Sequence, residues 1–130
     1  MRRRDEAELE RHILRAVGGQ PDLLLLRNEV GVGYPCAELH ALFAAQGLGQ
    51  TVDPILRRAR RITYGLGVGS PDLFGALSGR AFGLELKTPT GRSSPEQERW
   101  AYAARGRGVE VVVVRSVEEA EAAIEALRRR

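Results

Sequence analysis

Residues 69–97 read GSPDLFGALSGRAFGLELKTPTGRSSPEQ, and the middle of this stretch decides the fold. Ser78-Gly79 suits a two-residue hairpin loop, because glycine supplies the positive φ that such loops need. That loop pairs Leu77 with Arg80, and counting outward in antiparallel register sets Asp72 opposite Glu85. Opposed residues point to one face of a sheet, and so do side chains two apart along a strand. Asp72, Glu85 and Lys87 therefore share a face, while Phe82, Leu84 and Leu86 take the other and read as core. Carboxylates and an amine converge on the polar side of a single hairpin.

The amine is unusual for this chain. Lys87 is the only lysine among 20 basic residues, the rest being arginine. Arginine keeps its proton in a protein, whereas a partly buried lysine can shift its pKa and presents a compact point charge. The competing reading is a chance lysine on a strand edge.

Outward from the hairpin, 130 residues suffice for one domain with a single core. Nothing approaches the roughly 18 consecutive apolar residues of a membrane span. The opening Met-Arg-Arg-Arg runs into acids instead of an apolar segment, so no signal peptide is evident and a reducing cytoplasm is the expected compartment. Cys36 stands alone, which excludes an internal disulfide and a thiolate-rich zinc site, and His12 and His40 lack partners at metal-ligand spacing. A net charge of +3 and a pI near 9.6, carried by arginine, suit phosphate without specifying it.

Along the chain, Leu9, Ile13 and Val17 form an apolar stripe that predicts a helix over 5–17. Glu6 falls in the middle of the stripe, Glu10 at its edge and Glu8 opposite. A carboxylate aimed at a packed side needs a partner, although an acid in a first turn also favours the helix dipole while solvated. Gly18-Gly19 ends the helix, and residues 23–29 (LLLLRNE) read as a strand. Residues from about 33 to 60 read as an irregular insert, with a short helix possible over 38–46. Arg57, Arg58, Arg60 and Arg61 make the densest basic cluster, either a solvated face or a phosphate contact. Ile62 and Tyr64 begin a further strand.

After the hairpin, Pro89 and Gly91 impose a loop that exposes Arg92. Ser94-Pro95-Glu96-Gln97 then opens a helix, with proline at its first position and the serine-to-glutamine spacing of a capping box, which alone would explain Gln97. The run VEVVVV from Val109 predicts a strand buried on both faces, and Val117, Ala120, Ile124 and Leu127 trace a final helix. The sum is an α/β single domain, a mixed β-sheet flanked by helices.

An acid, an interval, then Glu-x-Lys on a hairpin followed by helix and strand resembles the PD-(D/E)xK nuclease superfamily. Gly-Ser-Pro-Asp-Leu (69–73), Glu85-Leu86-Lys87, Gln97 and the early Glu6 make the chain similar to the VRR-NUC family within it. The stretch 33–60 departs from a compact member. The resemblance implies a restriction-endonuclease-like fold and a DNA endonuclease that needs Mg²⁺ or Mn²⁺. It implies metal ligation by Asp72, Glu85, the Leu86 carbonyl and Glu6. Lys87 would position or deprotonate the attacking water, and Gln97 would hold Lys87 or that water. Ser70, Arg92 and the four clustered arginines are the implied DNA contacts. Branched DNA cut by a homodimer, as Holliday-junction resolvases do, is the implied substrate and assembly. The alternatives are a flap- or nick-directed nuclease and a non-catalytic nucleic-acid-binding module on the same fold.

Overall fold

The computed structural model describes residues 2–33, 37–56, 58 and 62–130; Cys36, Arg57, Arg60 and Arg61 lie outside that set, as do the side chains of Leu39 and His40. Contacts divide the chain into two compact units, one of Met1–Glu29 with Val68–Arg130, the other Val30–Gly67.

The first unit opens with α1 (Arg2–Val17), which starts earlier than its apolar stripe because nothing in the arginine run breaks a helix. It presents fully buried Ile13 and Val17, then stops where the Gly18 N–H bonds the Leu14 carbonyl at 2.9 Å. Strand β1 (Leu23–Arg27) follows, two residues shorter than the expected strand over 23–29. Strands β4 (Leu73–Leu77) and β5 (Arg80–Leu86) form the hairpin in the expected register, Leu77 opposite Arg80 and Leu73 opposite Leu84. Both loop residues have positive φ, 51° at Ser78 and 81° at Gly79, as a tight hairpin turn requires.

Helix α4 (Pro95–Arg105) crosses over to β6 (Glu110–Val114), which runs parallel to β5, and α5 (Val117–Arg128) closes the unit. The sheet order is β1-β4-β5-β6. Leu23, Leu25, Leu73, Leu77, Phe82, Leu84, Leu86 and Val114 share a core with Ile13 and Val17 of α1 and Ala120 and Ile124 of α5. Each fully buried aliphatic or aromatic side chain contributes roughly 1.5–3 kcal/mol. The observed architecture is a mixed α/β fold with a four-stranded mixed sheet between helices. The expectation that the valine strand is buried on both faces fails: β6 ends the sheet order, and Val113 is 39 % exposed there.

The second unit is not irregular. Between the short strands β2 (Gly31–Gly33) and β3 (Ile62–Tyr64), which pair antiparallel, lie α2 (Ala37–Ala45) and α3 (Gly49–Leu56), packed against each other. The turn between the helices carries Gly47 at φ 74°. Helix α3 has a glycine at its start and Pro54 inside it, both poor helix formers, which hides it from a propensity reading. Among the described residues no helix is long and apolar enough to cross a membrane.

Candidate active site

The face of β5 opposite the core carries the chemistry. Among the described residues the buried polar or charged side chains are Ser70, Glu85 and Lys87, and all lie on or beside the hairpin. Glu85 is 3 % exposed although it points away from the apolar core. Lys87 follows the end of β5, yet its N–H still bonds the Val114 carbonyl at 3.0 Å, so the parallel ladder runs through it and fixes its direction. Its Nζ lies 2.8 Å from Glu85 Oε1. The Gln97 amide, Nε2, donates to the same oxygen from the first turn of α4. Asp72, one residue before β4, accepts the Leu86 N–H on Oδ2 at 2.8 Å.

The two carboxyls act on one another's ionisation. Burial pushes Glu85 up to about 7, with Asp72 and Glu6 adding repulsion and Lys87 opposing it. Burial likewise raises Asp72, against the Leu86 N–H and the Lys87 charge. Desolvation, more than the mutual repulsion of crowded acids, is thus the main cause. Glu10 on α1 is also raised, chiefly by burial; it pairs with Arg27 and feels Asp72.

The loop that carries Asp72 is held from three directions. Asn28, just past β1, donates its side-chain amide to Ser70 Oγ and to the Pro71 carbonyl, each at 2.8 Å, while its backbone N–H bonds the Asp72 carbonyl at 2.8 Å. Gly69 sits at φ 87° against the first turn of α4, where a Cβ would lie 2.4 Å from the Glu96 carbonyl oxygen. Gly83 leaves room for buried Pro71, whose Cγ would be 2.3 Å from any Cβ there. On the other side, Arg115 Nη1 donates to the carbonyls of Thr88 at 2.5 Å and Gly91 at 2.8 Å, which pins the chain leaving Lys87. Asn28 and Arg115 are the positioning residues that sequence reading passed over. Asn28 falls inside the strand expected over 23–29, and no local pattern singles out Arg115.

Asp72, Glu85 and Lys87 therefore come together. Gln97 completes the capping box, its Oε1 accepting the Ser94 N–H at 2.8 Å, and its amide binds Glu85, where the resemblance implies Lys87 or the water. Glu6 is half-buried and lines a cleft with Leu9, Lys87 and Arg115, whereas Glu8 is exposed. Among the described residues no group of three or more His, Cys, Asp or Glu side chains is arranged to hold a metal ion; Glu6 acts on Glu85 through its charge. Ser70 is 8 % exposed and accepts from Asn28. Arg92 and Arg58 are exposed. In comparisons with known proteins the chain matches no family model, no curated protein and no solved structure.

Proposed function

We propose that this protein is a divalent-metal-dependent DNA endonuclease of the VRR-NUC type, with a restriction-endonuclease-like core, that hydrolyses phosphodiester bonds in branched DNA. The observation that carries the reading is the pair of desolvated carboxyls on one face of the hairpin, Asp72 and Glu85, with the chain's only lysine bonded to Glu85. Two desolvated carboxyls on one face resist ionising together, and a bound cation would relieve that cost. The donor set fits Mg²⁺ or Mn²⁺: two carboxylates with the adjacent Leu86 carbonyl leave sites for water and a phosphate oxygen, which Mg²⁺ prefers to an all-protein cage. When bound there, the cation supplies Lewis acidity and a water of lowered pKa.

The chain's own residues do the rest. Lys87 holds Glu85 in place, orients the attacking water and balances charge growing on the phosphate. Gln97 fixes the Glu85 carboxylate from the helix, and Asn28 fixes Asp72 through its loop. Glu6 adds negative potential that favours cation entry. Arg92, Arg58 and the neighbouring arginines of the insert offer phosphate contacts. Hydrolysis would leave a 5′-phosphate. Coordinated cutting of two strands requires two such sites, which a C₂ homodimer provides.

The deciding experiment incubates the protein with branched, flapped, nicked and linear DNAs, with and without Mg²⁺ or Mn²⁺, beside Asp72→Asn. Metal-dependent cleavage by wild type alone is expected. Equal cleavage by the variant, or none by either protein on any substrate, would remove the assignment.

A further inference from the structure

Beside Glu85 a second feature lies outside the chemistry just described. Helix α4 and the outer face of β6 enclose a cleft of ≈ 220 Å³ that has Glu85 at one end. Val111 and Val113 line it, together with Glu98, Tyr102 and Arg105. Tyr102 is 82 % exposed, the most exposed large side chain among the described hydrophobics. Arg105 is not free to swing out, since its Nη2 donates to the Val111 carbonyl at 2.8 Å.

Size and charge say what fits. Pockets that enclose a whole small ligand run to roughly 300–1,000 Å³, so this cleft suits one group of a longer molecule. A phosphate entering it would meet the carboxylates of Glu85 and Glu98 with the single compensating guanidinium already turned to the wall. An uncharged flat ring meets no such opposition: valine side chains, a tyrosine ring able to stack and a guanidinium line the cleft. The occupant must also be chemically continuous with whatever reaches Glu85. We infer that this cleft is a binding site for one unstacked nucleobase of the DNA strand being cut, with Tyr102 as its stacking platform. The inference rests on the nuclease reading and narrows its substrate: a base enters without an unpairing cost where pairing is already broken, at a flap, gap or branch, which favours such DNA over continuous duplex.

Binding without metal tests this separately from cleavage. The probes are a duplex bearing a single-stranded flap, with 2-aminopurine as the first unpaired nucleotide, and a fully paired duplex of the same length. Wild type should prefer the flap and change the 2-aminopurine fluorescence. Tyr102→Ala should weaken flap binding about tenfold or more, in keeping with the loss of a base–aromatic stack, and leave the paired duplex unaffected. Tyr102→Phe should behave as wild type. Flap binding by Tyr102→Ala as tight as wild type overturns the site, and so does an equal loss in Tyr102→Phe, which would place the effect in the hydroxyl. Metal-dependent cleavage by wild type is scored in parallel, so failure of the nuclease reading shows there, whatever the binding result.

Discussion

Glu85 and Lys87 form a buried ion pair whose members answer to different tests. In the folded, metal-free protein Glu85 keeps its proton up to about 7, against 4.5 as its ordinary value. Between those two values the folded form binds more protons than the unfolded chain, so stability must fall as pH rises across that window. Asp72, also raised, works in the same direction. The melting temperature of the metal-free protein should decline over this range and the decline should be smaller in Glu85→Gln; parallel curves for the two proteins would contradict the buried-acid assignment. Lys87 is tested by Lys87→Arg, which keeps the charge but substitutes a larger planar group in a site where Nζ sits 2.8 Å from its partner. Turnover should drop below about a tenth of wild type, a barrier increase of at least roughly 1.4 kcal/mol.

Helix α4 contributes a start signal and a donor to Glu85 through the same side chain, Gln97. Gln97→Ala should cost on the order of 1 kcal/mol as a lost cap, with turnover falling much further because Glu85 loses its amide donor. Gln97→Glu separates the roles: glutamate also completes a capping box but sets another carboxyl against Glu85. That variant should retain the helix start, read by protection of its first amides from exchange, and still lose turnover. The capping half of this pairing was legible in Ser94-Pro95-Glu96-Gln97, because its partners lie within one turn. So was the facing of Asp72 and Glu85, because a two-residue loop and a period of two leave no freedom in register. What was not legible depends on remote partners. Asn28 bonds Ser70 from 42 positions away, and Arg115 reaches back 27 positions to Thr88. Neither leaves a local period, and so the strand was read through Asn28. Asn28→Ala should therefore slow cleavage by loosening the Asp72 loop, while a thermal melt registers only a modest loss.

At the scale of the whole molecule, the proposed activity makes predictions about metal, assembly and substrate. A cation that binds only the folded form stabilises it by about 2.7 kcal/mol at a hundredfold excess over Kd, so Mg²⁺ or Mn²⁺ should raise the melting temperature of wild type and not of Asp72→Asn. The homodimer is tested by sedimentation at micromolar concentration. Leu42 and Leu48 of the second unit, 63 % and 46 % exposed, are the candidate contacts, and replacing both with serine should yield a monomer. If wild type already sediments as a monomer, coordinated two-strand cutting by paired sites is ruled out. The pairing of Gly33 with Ile62 has one more consequence. Because the second unit departs and returns on adjacent strands, its two ends are separated by a single strand spacing, about 5 Å. Residues 34–61 thus form a cassette that an Asn-Gly turn could replace, and a lineage could exchange this attachment for another without disturbing Asp72 or Glu85.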